Sequence, residues 1–178
     1  MTVFVPKEVI SLYSKNNSVG KISGSILFLD IKGFTSMTEK LMKAGKRGAE
    51  HLSKITNSFF NDVIDEIYKS GGFITTFAGD AFTAVFPNEL SENSIAAALK
   101  IKKIVSSKKS FVTPQGEFVL SVKMSIVSGD ISFFFIGKEK KIFLLRGDCL
   151  KNIGKMQTVC AENEIICDAE TKKRFKQS

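Results

Sequence analysis

Residues 25–31, SILFLDI, form an apolar run broken by one carboxylate, Asp30. A strand with one wet face alternates apolar and polar residues, whereas a run this continuous belongs to a strand covered on both faces. The chain must therefore place packed material on either side of a central strand. Asp30 adds a second demand. A carboxylate ending such a strand costs several kcal/mol if buried alone, so it needs a cation, a donor or water.

The flanking segments supply the layers. Residues 6–15 read as a short helix opened by Pro6, and the polar stretch from Asn16 to Gly20 breaks that pattern. After the apolar run, Gly33 leads into helix signals from Thr35 to about Lys43, with a turn at Ala44-Gly45. The longest helical pattern spans residues 47–69, where Leu52, Ile55, Phe59, Val63 and Ile67 recur at spacings of three and four. Residues 73–77 and 81–86 read as strands joined by a tight hairpin at Ala78-Gly79-Asp80, and Pro87 ends the second. A helix over about 91–106 turns Ile95, Ala98, Leu99, Ile101 and Val105 inward. Within 118–127, Leu120, Val122, Met124 and Ile126 alternate with Ser121, Lys123 and Ser125. Ser128-Gly129-Asp130 reads as a turn into a strand over 131–136, and Gly137-Lys138-Glu139-Lys140 as a turn into one over 141–145. A helix over about 148–161, a strand at 165–167 and a terminal helical turn complete the chain.

The order strand–helix–strand–strand–helix–strand (βαββαβ) gives an α+β fold: an antiparallel sheet with helices on one face, extended by C-terminal strands and a helix. Without internal repeats or linker-like stretches, residues 1–178 read as a single domain, with an N-terminal helix at 6–15 and a core over 22–168. In this topology the first strand exits where the hairpin turns over. Asp30 and Asp80, fifty residues apart, are expected to meet at one edge of the sheet. Two carboxylates beside a loop that opens a helix suit a divalent cation carrying a polyphosphate. The helix N-terminus offers free N–H groups to phosphate oxygens, and Gly33 permits close approach.

Composition narrows the alternatives. Lys and Arg outnumber Asp and Glu by 26 to 18, for a net charge of +8, but the lysines are scattered and the arginines are only Arg47, Arg146 and Arg174. A nucleic-acid binder gathers its charge into a stripe interleaved with aromatics, so no nucleic-acid partner is expected. No apolar run reaches the roughly 18–20 residues that span a bilayer, and the N-terminus lacks the layout of a signal peptide. Cys149, Cys160 and Cys167, with a single histidine, support neither a zinc site nor a disulfide framework, which points to the cytoplasm. His51 sits in a helical pattern beside Glu50 and Lys54, as a solvated residue.

The segments Phe28-Leu29-Asp30-Ile31-Lys32-Gly33-Phe34-Thr35 and Gly71-Gly72-Phe73-Ile74-Thr75-Thr76-Phe77-Ala78-Gly79-Asp80-Ala81 resemble the two metal-binding motifs of class III nucleotidyl cyclases. Ser36-Met37-Thr38-Glu39-Lys40 and Arg47-Gly48-Ala49-Glu50 bring the likeness closer to the first catalytic half of soluble, bicarbonate-responsive-type adenylyl cyclases. The similarity runs from about Lys7 to Ile166. It implies a ferredoxin-like palm working as a head-to-tail dimer, either a homodimer or paired with a complementary cyclase half. It also implies conversion of ATP (or GTP) to a cyclic nucleotide and pyrophosphate, with two Mg²⁺ or Mn²⁺ ions. By resemblance, Asp30, Asp80 and the Ile31 backbone hold metal, and the backbone of Ile31, Lys32, Gly33, Phe34 and Thr35 lies against the triphosphate.

Other positions depart from that pattern. The family's adenine-selecting Lys falls on Thr76 and its acidic partner on Leu144. The ribose-orienting Asn falls on Lys151, and the transition-state Arg on Lys155, which keeps the charge without the planar fork. Metal ligands kept and partner-side residues changed describe one half of an asymmetric pair. A degenerate domain that binds nucleotide or only dimerises is the alternative. A diguanylate-cyclase-like palm is a third reading, of which Gly79-Asp80-Ala81-Phe82 is a partial match. Because the bicarbonate pocket also uses the Lys that Thr76 replaces, bicarbonate activation is not expected.

Overall fold

The central strand, β1 (Val19–Lys32), is fourteen residues long, twice the apolar run that marks it. The structure, a computed structural model, describes residues 11, 18–87, 91–108, 110–137 and 142–176. The helix expected over 6–15 therefore lies, but for Ser11, outside the described residues, as do the turn expected at 137–140, but for Gly137, and the first residue of the strand expected over 141–145.

Antiparallel neighbours flank β1: β3 (Ala81–Pro87) on one side and β6 (Ser121–Ile136) on the other. Beyond β3 lies β2 (Phe73–Ala78). Beyond β6 lie β7 (Ile142–Arg146), antiparallel, and β8 (Ile165–Cys167), parallel, on different stretches of the same edge. A separate hairpin joins β4 (Ser110–Thr113) to β5 (Gly116–Val119). The helices are α1 (Phe34–Met42), α2 (Gly45–Lys69), α3 (Asn93–Ser107), α4 (Leu150–Val159) and α5 (Ala169–Lys176).

Both faces of β1 are covered, and by different elements. Leu27, Leu29 and Ile31 point into the main core, where Ile55, Phe59, Val63 and Ile67 of α2 and Ala97, Ala98, Ile101 and Val105 of α3 meet them. Ile26 and Phe28 point the other way, into a smaller core with Phe73, Val85, Val127, Ile131 and Ile153 of α4. Period-two alternation thus assigns Asp30 and Lys32 to the α4 side of the sheet. No helix among the described residues is long and apolar enough to cross a membrane.

Three sequence readings need correction. The Ser128-Gly129-Asp130 turn does not form, because β6 runs straight through it. Its backbone pairs residue by residue with the whole of β1, from Val19↔Phe134 to Lys32↔Ser121, and the buried Ser128 hydroxyl bonds Ser25 at 2.7 Å. A fourteen-residue ladder outweighs a local turn preference. The same pairing draws Val19 and Gly20 into β1, where a break was expected. Finally, Leu99 is 51% exposed, while Ser94 and Ala97 turn inward with Ala98, Ile101 and Val105. That stripe follows the helical period, and Leu99 lies off it.

At the end of α2, Glu66 is the acid most tightly tied into the scaffold. Its Oε1 accepts hydrogen bonds from Ser70 at 2.8 Å and Lys100 at 2.9 Å, with the carboxylate 14% exposed. Burial pushes its pKa up, but the Lys100 and Ser70 donors outweigh that and hold it below the ordinary value. A depressed carboxylate stabilises the fold above its unfolded pKa and loses that contribution as pH falls through the folded one. Glu66→Gln is therefore expected to cost about 1 kcal/mol at pH 7, discounted for the exposure of Lys100. The difference from wild type should close below about pH 4, as read from urea unfolding at both pH values.

Candidate active site

The ladder between β1 and β3 ends at Asp30↔Ala81. Asp80, the residue before Ala81, sits in the turn from β2, where Gly79 takes a left-handed φ of 65°. Past Asp30, β1 continues as Ile31 and Lys32, paired with Val122 and Ser121 of β6. Gly33 then turns left-handed, at φ 86°, and opens α1. Strand end, hairpin tip and helix start are thereby assembled at one edge of the sheet.

Side chains tie the three together. The Thr35 hydroxyl, in the first turn of α1, donates to Asp80 Oδ2 at 3.1 Å. Lys32 Nζ lies 2.6 Å from Asp30 Oδ2, with the carboxylate 21% exposed. The hydrogen bond to Asp30 leads in raising the Lys32 pKa, against a smaller desolvation effect, and the charges of Asp30, Asp80 and Glu162 add to it. One ammonium thus feels the charge of both aspartates. Among the described residues no side chain caps the first turn of α1, whose positive end is directed at this edge.

The donor set is hard oxygen: two carboxylates, a threonine hydroxyl and backbone carbonyls. That suits Mg²⁺ or Mn²⁺ rather than a thiolate- or imidazole-seeking metal. Among the described residues no group of three or more His, Cys, Asp or Glu is gathered to hold a metal. The remaining ligands here would be phosphate oxygens and water. In this structure the Lys32 ammonium is seated on the Asp30 carboxylate.

The other candidate positions divide. Thr76 of β2 pairs with Thr83, which pairs in turn with Phe28, so it stands on the sheet face of Asp30 and is exposed. A register shift between Ile74 and Thr76 puts it there. Leu144 of β7 pairs with Phe134, itself opposite Val19 at the far end of β1. At ~3.3 Å per residue, eleven residues separate it from Asp30 by roughly 35 Å. Its side chain, 46% exposed, is on the other face of the sheet. Lys151, in the first turn of α4, is paired with Asp148 at 2.6 Å, and Lys155 is exposed one turn further on. Within one protomer, then, Asp30, Asp80 and residues 31–35 come together, Thr76 stands two strands away on the same sheet face, and Leu144 stays distant.

The family described as Adenylate and Guanylate cyclase catalytic domain matches residues 16–178. The chain belongs to that family. It is 32% identical over 154 residues to adenylate cyclase type 10 of Oryctolagus cuniculus, covering 84% of this chain and 10% of that protein. To the terminal-differentiation specific adenylate cyclase of Dictyostelium discoideum it is 29% identical over 143 residues, covering 78% and 6%. This cyclase-family domain thus spans about a tenth or less of the length of those curated relatives. The adenylyl cyclase CyaB from P. aeruginosa shares its fold at TM-score 0.73 and 19% identity, over 90% of this chain and 84% of that one. A bacterial light-regulated adenylyl cyclase does so at TM-score 0.72 and 22% identity, over 96% and 51%.

Sequence reasoning overlooked two participants at the edge of this cyclase domain. One is the Lys32 side chain, although its i,i+2 spacing from Asp30 on a strand already puts both on one face. The other is the Val119 carbonyl at the end of β5, which packs against Gly33. No signal within the site motif points to it, since the contact joins residues far apart in the chain.

Proposed function

We propose that this domain supplies the metal-binding half of a class III nucleotidyl cyclase active site, converting ATP to cyclic AMP and pyrophosphate in cyclic-nucleotide signalling. The supporting observation is the convergence of Asp30 and Asp80 on one sheet edge beside the start of α1. Asp30, Asp80 and the Ile31 main-chain carbonyl would hold two Mg²⁺ or Mn²⁺ ions. When bound, such ions activate the attacking ribose 3′-oxygen and neutralise charge on the triphosphate. The domain's own residues do the positioning. Backbone N–H groups from Ile31 to Thr35 receive the triphosphate, and left-handed Gly33 lets the main chain approach it. The Thr35 hydroxyl fixes the rotation of the Asp80 carboxylate. The 3′-oxygen then attacks the α-phosphorus, and the bond to pyrophosphate breaks.

The rest of the site comes from a second chain, a homodimer partner or a complementary half. Leu144 lies too far from Asp30 to serve it within one protomer, and Thr76, Lys151 and Lys155 replace the polar groups that the family uses for base, ribose and transition state. Losing one preorganised donor commonly costs about 10²–10³ in rate, so a homodimer should be slow. ATP is preferred over GTP because the named curated relatives are adenylate cyclases. The scattered lysines and the three thiols, all free, fit a cytoplasmic domain that binds no nucleic acid.

Mixing this domain with a complementary cyclase half carrying Lys, Asn and Arg at the partner positions is expected to restore the cyclic AMP production of which this domain alone has little. Asp30→Ala should abolish it; activity that survives that change overturns the proposal. A second reading, a nucleotide-binding or dimerisation module, draws on the Lys151–Asp148 pair and the turned-away Leu144. Calorimetry with ATP and Mn²⁺ separates the two. Metal-dependent binding without restored activity in the mixture favours the module.

A further inference from the structure

The Lys32 side chain has no part in the reading of either motif, which uses only its backbone. Its ammonium lies 2.6 Å from Asp30 Oδ2, within the field of Asp80 and of Glu162, whose own carboxylate accepts from Ser121, the residue paired with Lys32. A divalent ion such as Mg²⁺ binds a carboxylate oxygen at about 2.0–2.1 Å. An ammonium already hydrogen-bonded to that oxygen cannot stay in place beside it. The two charges would repel, and the lone pairs facing the site are shared. Lys32 is free to leave: its side chain is 42% exposed on a flexible four-carbon stem. It also belongs to the segment that runs from Asp30 to the start of α1, where the polyphosphate would lie.

We infer that Lys32 and a divalent cation are alternative occupants of Asp30, and that the displaced ammonium passes to the triphosphate. This rests on the metal-site reading above and adds the regulation of that site. The lysine keeps Asp30 neutralised and aimed until metal arrives together with a polyanion that can accept the released charge. The domain consequently discriminates against metal alone in favour of metal with nucleotide.

The test measures binding of Mn²⁺ alone by the full chain from depletion of the free-ion paramagnetic resonance signal, and binding of the preformed Mn²⁺–ATP pair by calorimetry. Lys32→Met should bind Mn²⁺ alone about threefold to tenfold more tightly than wild type, the worth of a partly exposed ion pair. With ATP present the sign should reverse, the variant binding the Mn²⁺–ATP pair more weakly by a similar factor. Lys32→Arg should restore wild-type behaviour in both. Lys21→Met removes the same charge at the exposed far end of β1, roughly 35 Å from Lys32, and controls for the change in net charge. Its shift should stay under about twofold, as for screened surface charge. An unchanged Mn²⁺ affinity in Lys32→Met, an equal shift in Lys21→Met, or no reversal with ATP overturns the inference and leaves the metal site standing. Mn²⁺ binding that survives both Asp30→Asn and Asp80→Asn removes the metal site itself, and the inference with it.

Discussion

Asp80→Asn is expected to cut cyclic AMP production by the reconstituted pair about a thousandfold or more, with the unfolding midpoint almost unchanged. The size follows from the chemistry asked of this carboxylate. In the proposed site Asp80 is one of only two acidic ligands, and Asn offers a neutral carbonyl in place of a charge. Weakened Lewis-acid assistance to the attacking and leaving oxygens forfeits about 4 kcal/mol of transition-state stabilisation. The fold should not notice. Asp80 lies in the turn between β2 and β3, half-buried, and its carboxylate accepts a hydrogen bond from the Thr35 hydroxyl at 3.1 Å. Thr35→Val supplies an internal scale. It leaves the carboxylate in place but frees its rotation, so a loss of about tenfold to a hundredfold is expected, as for outer partners of metal ligands. If Asp80→Asn keeps a tenth of wild-type rate, the carboxylate does not hold a catalytic ion.

The parts of this edge that the sequence discloses are those governed by short-range rules. An apolar run with one acid near its end announces a strand buried on both faces, and Leu27, Leu29 and Ile31 against Ile26 and Phe28 divide as the period of two requires. Gly79-Asp80 announces a hairpin tip, and the split βαβ order then brings that tip to the end of β1. Where the reading failed, pairing partners decide. Ser128-Gly129-Asp130 has every local mark of a turn, yet its backbone is satisfied by Ser25, Gly24 and Ser23 of β1. Leu99 has the same apolar character as Ile101, and only the position of the sheet beneath α3 determines which of them is covered. The β4–β5 hairpin is the largest omission. Its inner residues Phe111 and Phe118 join the main core, while Val112 and Val119 remain exposed. That pattern is too short, at four residues a strand, to distinguish from loop by periodicity.

Because of that hairpin, Gly33 is held to a stricter requirement than the site motif alone imposes. Gly33 sits at φ 86°, and a Cβ built there collides with the Val119 carbonyl at the end of β5. Two independent restraints therefore act on one residue: a left-handed conformation that L side chains resist, and a backbone neighbour that cannot swing aside as a flexible side chain would. Gly33→Ala is expected to cost about 2–4 kcal/mol, from backbone strain together with displacement of the hairpin. Urea denaturation measures that loss. The same change should abolish Mn²⁺-dependent ATP binding at temperatures where the variant remains folded, since α1 can no longer start where the triphosphate needs its N–H groups. Gly45→Ala makes the comparison: it too has positive φ, 64°, but among the described residues nothing lies within 4 Å of its added Cβ. It should lose only the conformational part, about 1 kcal/mol, and keep nucleotide binding. Equal stability losses at the two positions would mean that the hairpin does not brace the loop, and that Gly33 is retained for its dihedral angles alone.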